Sequence, residues 1–111
     1  MPLQVLLSQQ GPLPITAKFK APSDATVYLE VNGSVWTQSA NAMIGIQVAI
    51  DGKPAGTAQI FSNAASTHRT VVPLYVPLQL AFGEHSITLS APQGSTTVSD
   101  KNDFYAAVIH Y

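Results

Sequence analysis

His68, His85 and His110 are the only three imidazoles in the chain, and they are the first place to look for a metal or a general base. No two of them are close enough in sequence to form a recognisable local ligand pair, so a zinc or copper site would have to be assembled from three distant segments. His85 and His110 also fall in stretches that read as strands, where a hydrogen-bonded or surface histidine is the commoner outcome. A second cluster, Asp100, Asn102 and Asp103, with Ser99 beside it, gathers the oxygen donors that calcium prefers. It lacks the glycine and distal glutamate of an EF-hand loop, and Asp and Asn also serve as plain turn formers whose side chains satisfy nearby backbone donors. Calcium is the only cofactor the sequence nominates.

Covalent chemistry finds less. No Gly-x-Ser-x-Gly elbow surrounds any serine, no glycine-rich phosphate loop occurs, and Asp24, Asp51, Asp100 and Asp103 all lie in turn-like segments. Only Glu30 and Glu84 stand near strands. The expectation is a protein that is not an enzyme; a small metal-dependent enzyme of cupin-like shape, using the three histidines, is the remote alternative. Aromatic residues offer a different chemistry, because rings beside Asn, Asp and Gln hold sugars by stacking and paired hydrogen bonds. Trp36, followed by the polar run Thr37-Gln38-Ser39-Ala40-Asn41, is the leading lectin-type candidate among Tyr28, Tyr75, Tyr105 and Tyr111. A lone tryptophan in a small β domain is, however, more often a core anchor.

The elements that must position these groups are legible from composition and period. With 111 residues the chain is the size of one domain, read as spanning 1–111, and it can hide roughly 65% of its unfolded surface without staples. Cysteine is absent, which removes disulfides, thiolate metal sites and cysteine nucleophiles together. Charged residues make up 10% of the chain, against an average of about 25%. Five basic and six acidic residues supply no stripe for a phosphate backbone, so nucleic acid is not an expected partner. So little charge also leaves little repulsion between copies, which favours a homo-oligomer. The opening Met1-Pro2-Leu3-Gln4-Val5-Leu6-Leu7 is too short for a signal-peptide core and lacks a basic flank. No later run approaches a membrane span. Compartment is not readable; an extracellular or particle-associated role is compatible.

Alternation of apolar and polar residues recurs between Gly, Pro, Asn and Asp punctuation. Leu3, Val5 and Leu7 share one face, then Ile15, Ala17 and Phe19, then Val27, Leu29 and Val31. Asn32-Gly33 predicts a tight reversal before Val35-Trp36. Ile44, Ile46, Val48 and Ile50 form the clearest strand, ending in the hairpin signal Asp51-Gly52. A return strand follows over about Ala55 to Ser62. Val71-Val72 reads as another strand, the prolines of Pro73 to Pro77 bar that stretch from a central ladder, and Gly83 to Leu89 alternates again. Phe104 to Tyr111 closes the chain as an apolar strand that is either central or covered on its outer face. The fold class is therefore all-β, a two-sheet antiparallel sandwich of jelly-roll type.

Three patches carry a family resemblance. Phe19-Lys20-Ala21, Pro77-Leu78-Gln79-Leu80 with Gly83-Glu84-His85-Ser86-Ile87-Thr88-Leu89, and Phe104-Tyr105-Ala106-Ala107-Val108-Ile109 resemble strands of the complement C1q and tumour necrosis factor jelly rolls. The third patch departs at Ala106, where that family commonly has glycine, and a collagen-like stalk is missing. The resemblance implies a non-enzymatic homotrimer whose threefold contact is built by Phe104, Tyr105, Val108 and Tyr111. Its outer loops, Asn63 to Arg69 and Gln93 to Asp103, would recognise a partner, with Trp36, Asn63, His68 and Arg69 as ligand-binding candidates. The alternative is a carbohydrate-binding sandwich, with Trp36 and the Asp100 to Asp103 loop at its site.

Overall fold

Residues 2–111 are described by a computed structural model, and among them every regular element is a strand. In chain order these are β1 (Leu3–Gln10), β2 (Ile15–Ala21), β3 (Thr26–Thr37), β4 (Ala42–Ile50), β5 (Lys53–Ser62), β6 (Arg69–Thr70), β7 (Leu74–Gln79), β8 (Gly83–Ser90), β9 (Thr97–Val98) and β10 (Phe104–His110). The first sheet runs β1-β10-β3 with β7 beyond, and the short β6 and β9 pair farther along β3. The second runs β2-β8-β4-β5, and all pairs are antiparallel.

The inner faces meet as the alternation requires. Val27, Leu29, Val31 and Val35 of β3, with Tyr105, Ala107 and Ile109 of β10, pack against Ile44, Ile46 and Val48 of β4 and Ile87 and Leu89 of β8. All of them are exposed by 1% or less. Each such aliphatic side chain contributes about 1.5–3 kcal/mol through removal from water. Asp51-Gly52 closes the β4–β5 hairpin in two residues with φ of 52° and 79°, the doubly left-handed turn that matches strand twist. β7, with Pro77 inside it, pairs only with β3, and β10 lies between β1 and β3.

Three local expectations are overturned. No reversal occurs at Asn32-Gly33: β3 runs straight through, with Asn32 opposite Ala106 and Gly33 opposite Tyr105. Gly33 is needed for close approach instead, because a Cβ there would run into Tyr105 Cδ1 and stand 2.8 Å from Ile46 Cδ1. In β1 the period slips at a bulge between Val5 and Leu7, so Leu6 and Leu7 are buried while Leu3 and Val5 are exposed. Val71-Val72 is not a strand; Val71 is buried and its N–H donates to Gly33 O at 3.0 Å.

Candidate functional site

Because Val27, Leu29, Val31 and Val35 face inward, Tyr28, Glu30, Asn32, Ser34 and Trp36 share the outer face of the first sheet. Register adds Phe104, Ala106, Val108 and His110 of β10 to that face, and Tyr75 and Pro77 of β7. At its middle lies a shallow groove of about 320 Å³ lined by Asn32, Gly33, Ser34, Thr70, Phe104 and Ala106. Small residues make the floor, and Phe104, 49% exposed, stands at its wall. No charged side chain lines it.

Asp103 fixes this groove from beneath. It is fully buried, and its Oδ1 accepts from Ser34 Oγ at 2.7 Å and from His68 Nδ1 at 2.7 Å. Its Oδ2 accepts from Asp100 N at 2.8 Å, and its backbone carbonyl accepts from Gly11 N at 2.9 Å. The carboxylate thereby joins β3, the loop before β6 and the loop after β9, and the backbone carbonyl adds the β1–β2 turn. The bond to Asp103, before all other causes, raises the His68 pKa above its usual value.

The calcium cluster is regrouped by the fold. His68, Asp100 and Asp103 bring ligand atoms within 4.8 Å of one another, while Asn102 is exposed and its N–H caps Asp100 Oδ1 at 2.8 Å. Calcium takes six to eight oxygens. This set supplies a nitrogen and two carboxylates, one of which already accepts three protein donors, and falls short of that shell.

Nor do the three histidines converge. Each has its own carboxylate: His68 on Asp103, His85 Nδ1 on Asp51 Oδ2 at 2.6 Å, and His110 Nε2 on Glu30 Oε1 at 3.0 Å. The three-imidazole centre of a cupin-like enzyme is therefore not formed, since His85 sits on β8 of the second sheet and His110 on β10 of the first. His85 lines a second depression, of about 330 Å³, with Asp51, Lys53 and Leu80.

Among the other candidates, Trp36 is half-buried against the His68 ring, centroids 5.9 Å apart, and its indole N–H is buried without a partner. Arg69 pairs opposite the buried Val35, while its neighbour Thr70 lines the groove. Asn63 is exposed in the loop after β5. Of the proposed trimer contact, Phe104, Val108 and Tyr111 reach the surface to differing degrees, but Tyr105 is fully buried in the core and cannot line a contact between copies. The groove itself escaped sequence reading because Asn32, Ser34 and Thr70 are ordinary surface residues until β3 is known to run straight past them.

No protein-family model and no curated protein matches the chain. Solved structures do. A family 35 carbohydrate-binding module from an environmental isolate has a TM-score of 0.55 at 14% identity, covering 92% of this chain and 68% of its own. The native family 35 module from Clostridium thermocellum gives 0.51 at 16% identity over 89% and 71%. The C-terminal domain of EclA, described as a sugar-binding protein, gives 0.55 at 12% identity over 99% and 79%. At these identities the likeness establishes the fold, a jelly-roll-like sandwich shared with carbohydrate-binding modules, and nothing finer. These neighbours are not C1q or tumour necrosis factor domains, so the resemblance holds at the level of the jelly roll and the trimer it implied loses its support. Among the described residues no helix is long and apolar enough to cross a membrane.

Proposed function

We propose that this protein is a carbohydrate-binding module, not an enzyme, and that the groove on the outer face of the first sheet is its glycan site. One observation carries this: an exposed phenylalanine stands beside an uncharged floor of amide and hydroxyl groups, Asn32, Ser34 and Thr70. A pyranose ring has the matching surfaces, an apolar face for Phe104 and a rim of hydroxyls for the floor. Ser34 Oγ gives its proton to Asp103 and takes a long bond from Phe104 N at 3.4 Å, which leaves one lone pair to accept from a sugar hydroxyl. The absence of charge in the lining favours neutral sugars. The fold neighbours support the same function, since their descriptions are of carbohydrate-binding and sugar-binding domains.

A glycan array followed by titration calorimetry tests the proposal. Binding to neutral glycans is expected, weakened about tenfold, or about 1.4 kcal/mol, by Phe104→Ala. An array without a binder, or a Phe104→Ala protein that binds as the parent does, removes the groove as the site.

A further inference from the structure

Beyond the groove, the same face carries a second group of rings. His110, Tyr28 and Pro77 form one rung across β10, β3 and β7, and Val108, Glu30 and Tyr75 form the next. Tyr28 is 49% exposed and Tyr75 is 60% exposed. The Tyr75 ring is held in place: it stacks on His110 with centroids 5.8 Å apart and planes 20° from parallel, and its hydroxyl lies 3.3 Å from His110 Nε2. Polar groups are interleaved with the rings. Glu30 Oε2 accepts from Asn32 Nδ2 at 3.2 Å, and Asn32 is itself a lining residue of the groove.

We infer that this cluster is a second sugar subsite, and that the ligand is an extended linear glycan lying along β3 from the Phe104 groove to Tyr28 and Tyr75. This rests on the glycan-binding proposal and specifies its ligand. Three features favour a sugar chain over a second copy of the protein. The two sites are continuous, with Asn32 bonded to Glu30 in one and lining the other. They lie in one direction: the six steps from Tyr28 to Ser34 span about 20 Å at strand rise, the length of several pyranose units. Finally, Glu30 sits among the rings with its side chain still 27% exposed. Sugar hydroxyls donate to it as the rings stack, so the charge keeps its hydrogen bonds when the face is covered.

The test is a calorimetric titration of cello-, xylo-, manno- and galacto-oligosaccharide ladders from dimer to hexamer, with sedimentation run in parallel. For the ladder that binds, affinity should rise about tenfold or more from dimer to hexamer, as one added stacked ring would give. Tyr75→Ala should abolish that rise, Tyr75→Phe should keep most of it, and Phe61→Ala on the opposite sheet should leave it intact. Equal affinity at every length, or a Tyr75→Ala loss that is the same at every length, overturns the second subsite while leaving the groove standing. Failure of all four ladders together with a blank glycan array takes down the glycan proposal and this inference with it. A stable dimer that Tyr75→Ala dissociates assigns the face to self-association and overturns the inference.

Discussion

The two outer faces of the sandwich differ more than the two inner ones. Facing out from the second sheet are Thr16 and Lys18 of β2, Ser86 and Thr88 of β8, Gln47 of β4 and Thr57 of β5, and several of these satisfy one another. Thr16 Oγ1 lies 3.1 Å from Thr88 Oγ1, and Thr57 Oγ1 donates to Gln47 Oε1 at 2.9 Å. The first sheet's outer face carries Tyr28, Tyr75, Phe104, Leu3 and Val5, all exposed by 49% or more. Folding dictates the inner faces, because only there does burial supply the driving force. Packing does not require the first face's run of exposed rings, which is longer than the Phe61 and Met43 pair on the second, and exposed apolar patches of that kind mark binding surfaces.

What holds each face in shape differs as well, and Asp103→Ala gives the largest expected effect. Asp103 is buried and serves four acceptor bonds at the base of the groove, so its removal leaves Ser34 Oγ, His68 and Asp100 N without their partner. A loss of about 3 kcal/mol in urea unfolding is expected. A loss below about 1 kcal/mol would mean that the groove is not suspended from this residue.

The next comparison uses a matched pair. Phe104 and Phe61 are 49% and 51% exposed, one on each outer face, and Phe61 lies opposite the exposed Met43. Truncating either should cost a similar, small amount of stability, within about 0.5 kcal/mol of the other. Only Phe104→Ala should weaken glycan binding, by about tenfold. Equal losses of affinity from both would erase the functional difference between the faces.

Asp51 is the second sheet's counterpart to Asp103. It accepts from His85 Nδ1 at 2.6 Å and from Ser86 N at 2.8 Å, tying the β4–β5 turn to β8, but its side chain is 44% exposed. Water replaces what Asp51→Ala removes, and a cost of about 1 kcal/mol in the same unfolding experiment is expected. The ranking of Asp103 above Asp51 is the measurement of interest, because the two carboxylates use the same chemistry at different depths.

The parts of this structure readable from sequence are those set by burial. Ile44, Ile46, Val48 and Ile50 alternate because one side of β4 is dry, and Asp51-Gly52 closes the hairpin because both positions must be left-handed. Gly33 is ambiguous in sequence because glycine serves both tight turns and close approach, and only Tyr105 and Ile46, brought near by the fold, separate the two uses. The β1 bulge hid the true inner residues, since one inserted residue turns the period over. Candidate ligands fared likewise: Asp103 was singled out for its chemistry, but its role as a buried junction depends on Ser34 and His68, which lie 69 and 35 residues away in sequence. The outward position of Phe104 follows from alternation in β10, while the groove beside it needs the unbroken path of β3.

The smallest expected effect, on pH, compares the histidine on each side. His85 has acceptors at both ring nitrogens, Asp51 Oδ2 at 2.6 Å and Ala81 O at 2.7 Å, so the imidazolium form is the one that satisfies both. The bond to Asp51 is the chief cause that raises its pKa, as the bond to Asp103 is for His68. A raised folded-state pKa gives stability that is fully present below the ordinary value of 6.5 and is lost as pH climbs through the folded value. Asp51 and Glu30, lowered chiefly by the bonds from His85 and His110, act in the opposite sense: their share is present above the ordinary 3.8 and 4.5 and disappears as acid titrates them. Melting temperature should therefore be level between about pH 4.5 and 6.5 and fall on either side. His85→Gln should flatten the alkaline fall more than His68→Gln, because the second nitrogen of His68 is 3.7 Å from Asp100 and gains little from being charged. A steeper alkaline slope lost with His68 than with His85 would place the stronger clamp beneath the groove, and the pH dependence of stability would then belong to the sheet that carries the groove.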